Sequence, residues 1–326
     1  MGPHDVVRIR LRYPDLETFI ERATKVLPDE YHLLPIPEQR ELYRGLTTAF
    51  PIPWPETVTA VDDAVTVDGH TVGLRVYRTT DEPGQAAVLY FHGGGFVLGD
   101  LGTHEAIVAE LAAKSGTTVI AVDFRPSPEH PFPAAVEDGW TALRGVVAEA
   151  DRLGIDPDRI GVAGDSSGAN LAVVACLVTR DRGGPRIAAQ SLVSPVLDFA
   201  RWRAGGEDAP LLTSNEMVYF TACYVGDQAN LEHRYVSPLL TETFHDLPPA
   251  YIMGAELDSL KVDSLAYAER LEANGIPVEL VVEPGFVHAC LRARGYSPAV
   301  QDAFDRWCAA TARLLAPATA AAGGQL

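Results

Sequence analysis

The 326-residue chain has no Cys-x-x-Cys pair: Cys176, Cys223, Cys290 and Cys308 are scattered along it. That spacing excludes a zinc knuckle or a dithiol redox centre and reads as free, mostly buried thiols in a reducing compartment. Cys290, two residues after His288, is the one placed to line a pocket. Basic residues are few, with 26 Lys and Arg against 44 Asp and Glu for a formal charge of −18. With no basic stripe to neutralise phosphates, nucleic acid is not expected as a partner, and an anionic membrane surface is disfavoured. No apolar run approaches the ~20 residues needed to span a bilayer. Met1-Gly2-Pro3-His4-Asp5 leads into charged, amphipathic sequence and not into an apolar signal core. Val6 stands where N-myristoylation needs Ser or Thr. A cytoplasmic protein is expected. Neither a Gly-x-x-x-x-Gly-Lys loop nor a Rossmann glycine triplet is present, so no cofactor and no metal are expected.

What the chain does contain is a β-α alternation. Residues 14–50 are amphipathic and helical, with Leu16, Phe19, Ile20 and Ala23 and then Leu42, Leu46 and Ala49 at helical spacing. They precede every strand, so they cannot start a sheet and are expected to pack over one. Ala64–Val67 and Val72–Tyr77 flank the turn Asp68-Gly69-His70 and read as an antiparallel pair. Six further strands follow: 86–91, 118–122, 160–164, 188–193, 250–254 and 278–282. Helices over about 103–115, 134–150, 167–180, 262–274 and 298–315 separate or follow them. The alternation breaks over 198–248, where Trp202, Met217, Tyr219, Phe220 and Tyr224 signal an inserted helical segment. The expected fold is α/β: eight strands, mostly parallel, with helices on both faces. Residues 1–55 form N-terminal cap helices, 56–197 and 249–316 the core, 198–248 a cap insertion, and 317–326 an alanine- and glycine-rich tail expected to fray.

Arg159 to Leu171 begins as an apolar strand and becomes an alanine-rich helix, with Gly164-Asp165-Ser166-Ser167-Gly168 at the join. Gly-x-Ser-x-Gly between strand and helix is the form of a nucleophile elbow, and the glycine spacing selects Ser166 over Ser167. A serine hydroxyl needs a base, and a histidine held by a carboxylate supplies one. In chain order Ser, acid, His, the candidates are Asp258 after strand 250–254 and His288 after strand 278–282. Glu256, Asp263 and Asp246 compete with Asp258. Glu256 lies still at the strand end and Asp263 already in the helix. Of the other histidines, His4, His32 and His70 are peripheral, His104 is placed to cap a helix, His130 sits among prolines, and His233 and His245 fall in the insertion. His92 precedes glycines and anchors their loop. His92-Gly93-Gly94-Gly95 lets backbone amides approach an oxyanion closely. Gly93, Gly94, Gly95 and the Ser167 amide are therefore the candidate oxyanion donors.

Together with Pro128-Glu129-His130-Pro131-Phe132-Pro133-Ala134-Ala135, these motifs resemble those of the hormone-sensitive-lipase-like esterases, bacterial family IV. The resemblance covers about residues 60–315, and the N-terminal helices match that family's cap in position. It implies an α/β-hydrolase that cleaves short- to medium-chain carboxylic esters with Ser166, Asp258 and His288, without a cofactor. It also implies that Gly94, Gly95 and Ser167 form the oxyanion hole while His92 and Gly93 shape its loop. The sequence departs from the family at Ser167, usually Ala, and at Ala289-Cys290, usually Gly-Phe. An amide, lactone or specialised-metabolite hydrolase is the alternative reading. A receptor on the same fold is disfavoured because His288 is retained. The expected partner is a small ester, and pairing of two copies through the last strand and helix is left open.

Overall fold

A computed structural model describes residues 12–28 and 30–317. The tail expected to fray thus falls, from residue 318 on, outside the described residues, as does His4. The chain opens with two helices, α1 (Pro14–Val26) and α2 (Ile36–Ala49), each started by a proline in its first turn, where the missing N–H has no helical partner to lose. A hairpin follows, β1 (Thr59–Val67) and β2 (His70–Arg78). Its loop is only Asp68-Gly69, both at positive φ (53° and 81°), and His70 already pairs with Val67. β1 begins five residues before the alternation signals it. Its first half is exposed on the sheet edge and carries Asp62 and Asp63, so no buried face marks it.

The rest alternates: β3 (Gln85–Phe91), α3 (Leu101–Ser115), β4 (Thr118–Asp123), α4 (Ala134–Ala148), the short α5 (Ala150–Leu153), β5 (Ile155–Asp165), α6 (Ser167–Arg182) and β6 (Ala189–Val193). The insertion supplies α7 (Phe199–Trp202) and α8 (Ser214–Val225). Then come β7 (Ala250–Ala255), α9 (Lys261–Ala273), β8 (Val278–Glu283) and α10 (Pro298–Leu314). The sheet order is β1-β2-β4-β3-β5-β6-β7-β8, antiparallel only at β1/β2 and β2/β4.

The strand pleat sorts the core into two layers. In β3, Ala87, Leu89 and Phe91 face α4, α6 and α9, whereas Ala86, Val88 and Tyr90 face α3 and α10. Burial on both faces is why the central strands read as continuous apolar runs. Helix α6 is buried nearly all round, which explains why it shows almost no amphipathic pattern.

The N-terminal helices dock on the second layer, with Leu16, Phe19 and Ala23 of α1 and Leu46 of α2 buried there. One buried side chain, Gln39 of α2, ties them to α8. Its amide donates to the carbonyls of His32 (3.0 Å) and Leu34 (2.7 Å), and its oxygen accepts from the Tyr219 hydroxyl at 3.1 Å. Among the described residues no helix is long and apolar enough to cross a membrane.

Replacing Gln39 by Ala removes the partner of the buried His32 carbonyl and loosens the half-buried Leu34 carbonyl and Tyr219 hydroxyl. It is expected to cost ~1–3 kcal/mol, seen as a lower urea midpoint and as faster amide exchange in α1 and α2.

Candidate active site

Four loops leave the carboxyl ends of parallel strands and converge: 92–98 after β3, Ser166 after β5, Asp258 after β7 and His288 after β8. Ser166 has φ 53° and ψ −119°, a region that a side-chain-bearing residue occupies only when its surroundings force it. What forces it is crowding. A Cβ on Gly168 would collide with the Phe91 carbonyl oxygen, and one on Gly164 would collide with the Gly168 carbonyl carbon. Strand β3, strand β5 and helix α6 thus meet in backbone contact, and the serine side chain is turned out of the junction.

Asp258 and His288, both buried, join through Asp258 Oδ2 and His288 Nδ1 at 2.8 Å. The other carboxylate oxygen accepts from the Leu260 amide at 2.9 Å. The competing acids are engaged elsewhere. Glu256 accepts from the Gly285 amide (2.6 Å), and Asp246 pairs with His245 (2.8 Å). Asp263 holds the Leu197 amide (2.7 Å) and Arg201 (2.6 Å), and burial pushes its pKa up to about 6. Burial disfavours the imidazolium of His288, but the charge and hydrogen bond of Asp258, aided by Asp165 and Glu216, outweigh it and raise the pKa above 6.5. With Nδ1 donating to Asp258, Nε2 is left as the acceptor.

Ser166 and His288 both line a cavity of about 440 Å³. Gly94 and Gly95 border it on one side. Its walls come from the N-terminal helices (Phe19, Leu46), the segment between them (Tyr31) and the insertion (Leu211, Met217, Phe220). A second cavity, of about 20 Å³, lies behind Ser166 and His288 and is lined in part by Cys290. Burial pushes the Cys290 thiol pKa up, so the thiol stays neutral.

Two sequence expectations need correction. The Gly93 amide donates to Asp165 Oδ1 at 3.1 Å and is therefore committed, leaving Gly94, Gly95 and Ser167 as the candidate donors. Among the described residues those three amides donate to no protein group. His104 does not cap α3. Asp100 does, in a capping box with Thr103, while the buried His104 places Nε2 3.4 Å from Asp165. His92 stacks on Phe124 and bonds the Gly93 carbonyl through Nδ1 (2.9 Å). Burial, then the neighbouring His104, lowers its pKa to about 4, which keeps it neutral and structural.

Two roles escaped the sequence. Asp165 gathers the Tyr90 hydroxyl (2.6 Å), the Gly93 amide and His104, fastening the glycine loop to the elbow. Burial opposes its charge, but His104 and the Tyr90 hydrogen bond hold its pKa well below the usual carboxylate range. The Ser167 hydroxyl accepts from the Phe96 amide at 3.3 Å and makes a second tie between the same two segments. Neither partner is near in sequence, so no local signal pointed to them. Among the described residues no group of three or more His, Cys, Asp or Glu is placed to hold a metal ion.

Comparison with known proteins fits this geometry. A profile of the alpha/beta hydrolase fold family matches residues 88–292. An esterase of Mycobacterium tuberculosis, LipI, is 39% identical over 253 residues, covering 76% of this chain and 79% of that one. An ethyl acetate hydrolase of Pseudomonas putida is 34% identical, covering 86% and 92%. Among solved structures, a hyperthermophilic esterase from Pyrobaculum calidifontis superposes with a TM-score of 0.84 at 30% identity, covering 93% of this chain and 99% of that one.

The His288 imidazole is expected to titrate above 6.5 in an NMR pH series. Asp258→Asn removes the main group that favours the charged form, and the midpoint should move to lower pH.

Proposed function

Because the chain belongs to the α/β-hydrolase fold family, as a carboxylic ester hydrolase of its hormone-sensitive-lipase-like branch, we propose that Ser166, Asp258 and His288 are its catalytic triad. The observation that carries this reading is the outward-turned Ser166 at φ 53°, sharing one cavity wall with a histidine that Asp258 holds from behind at 2.8 Å.

In the proposed reaction Ser166 Oγ attacks the ester carbonyl carbon as His288 Nε2 takes its proton. The imidazolium that forms is stabilised by Asp258, which also keeps the proton on Nδ1. Negative charge moves to the carbonyl oxygen, where the amides of Gly94, Gly95 and Ser167 receive it. Such a donor is worth about 3 kcal/mol of barrier, and the start of α6 adds the positive end of a helix dipole. When the carbon–oxygen bond to the alcohol breaks, His288 returns the proton to the leaving alkoxide. Water then attacks the acyl-enzyme with His288 again as base, and Ser166 is regenerated as the acid departs.

Substrate choice falls to the walls of the cavity. The described residues up to 55 and the insertion at 198–248 act as its cap in this reading. Their apolar side chains favour the hydrocarbon of a short- to medium-chain acyl group or alcohol, in a volume within the range of small-molecule pockets. The four cysteines are free, which fits a reducing cytoplasm.

Ser166→Ala is expected to abolish turnover of p-nitrophenyl acetate and butyrate while the circular dichroism and melting temperature hold. Unchanged turnover would rule out the assignment. For the wild type, kcat/KM should fall as pH drops through a value above 6.5, because a raised histidine pKa leaves less neutral base at a given pH. A panel of esters, lactones and anilides should show esters turned over fastest.

A further inference from the structure

Resting on the oxyanion hole just proposed, we propose that Arg40, in the N-terminal helix α2, is a positioning residue that aims the Gly95 amide. Its Nε donates to the Val97 carbonyl at 2.9 Å. The Val97 carbonyl and the Leu98 amide are two ends of one rigid peptide plane. That Leu98 amide donates to the Gly94 carbonyl at 2.8 Å, and the Val97 amide reaches the same oxygen at 3.1 Å. The Gly94 carbonyl in turn shares its peptide plane with the Gly95 amide, which borders the cavity beside Ser166. A line of hydrogen bonds therefore runs from the guanidinium through two peptide groups to the proposed oxyanion donor.

Each link does two things. It fixes the tilt of the next plane, and it draws electron density toward the donor at its head, so the far N–H becomes a better donor. Gly94 needs this support. It sits at φ 123° and Gly95 at φ 63°, where a glycine backbone has other accessible conformations of similar energy. The guanidinium is itself held at its other corners. Nη1 and Nη2 clamp the Glu129 carboxylate at 2.8 and 2.7 Å, and Nη2 also reaches the Ser127 carbonyl at 3.1 Å. A planar fork with this many fixed contacts is stiff, which a single lysine contact would not be. The same arrangement gives the Glu129 of the proline-rich loop a role: it orients the residue that orients the glycine loop.

The test is steady-state kinetics on p-nitrophenyl butyrate for Arg40→Ala and Glu129→Gln. Rates are counted per serine that a fluorophosphonate probe finally labels, so unfolded protein is excluded. Losing one oxyanion donor costs ~100- to 1000-fold in kcat. Loosening one should therefore lower kcat in Arg40→Ala by roughly 10-fold or more, with KM and the acid limb of the pH profile held. Glu129→Gln should lower kcat by a smaller factor and decides the matter if Arg40→Ala does not fold. Arg44→Ala, on the same helix but paired with Asp100 and Glu41, is the control and should keep its kcat. Wild-type kcat in Arg40→Ala and Glu129→Gln, a loss confined to KM, or an equal loss in Arg44→Ala would overturn the proposal. Failure of the wild type to label at all would instead overturn the triad assignment beneath it.

Discussion

The site depends on a lack of room. Where β3 and β5 end and α6 begins, backbone touches backbone, and neither Gly164 nor Gly168 has space for a single methyl group. Close packing of this kind is intolerant of small displacements. It holds Ser166 in a conformation the residue would not choose alone, and it brings the glycine loop against the elbow, where Asp165 and the Ser167 hydroxyl lock it. The strain at the proposed nucleophile is maintained by the whole sheet, because each of the three segments is anchored in the buried core.

Much of this was readable because the relevant signals are local. A Gly-x-Ser-x-Gly between an apolar strand and a helix carries its own context, and Asp258 and His288 each follow a strand at the edge where such sheets bind ligands. The strand count was readable because buried parallel strands are apolar runs. What could not be read was pairing at a distance. Nothing near Gly93 says that its amide is taken by Asp165, 72 residues away. Nothing near His104 shows that it faces that same carboxylate, and a histidine in a first helical turn looks like a cap. The start of β1 was hidden for a different reason: an exposed edge strand bearing Asp62 and Asp63 has no hydrophobic period to detect.

The division of labour within the fold is also physical. The residues proposed for chemistry sit on strand ends of a rigid sheet, while the cavity walls come from helices joined to one another through Gln39 and to the loop after β3 through Arg40. Polar ties of this type can be redrawn without disturbing the core. Of the Ala289-Cys290 departure next to His288, Ala289 borders both cavities and Cys290 the smaller one.

The placement of α1 has an outcome for the order of events on the ribosome. Tyr13, at its start, packs edge-on against Phe286, 5.8 Å between ring centres, and the helix rests near the turn at 290–293. Helix α1 thus gains the Tyr13 part of its seat only once the segment after β8 has been made. A nascent chain halted before β8 would hold the elbow and the glycine loop yet lack both the proposed base, His288, and the residues after β8 that line the cavity. Ester cleavage by the proposed triad is thereby withheld until the segment after β8 has been made.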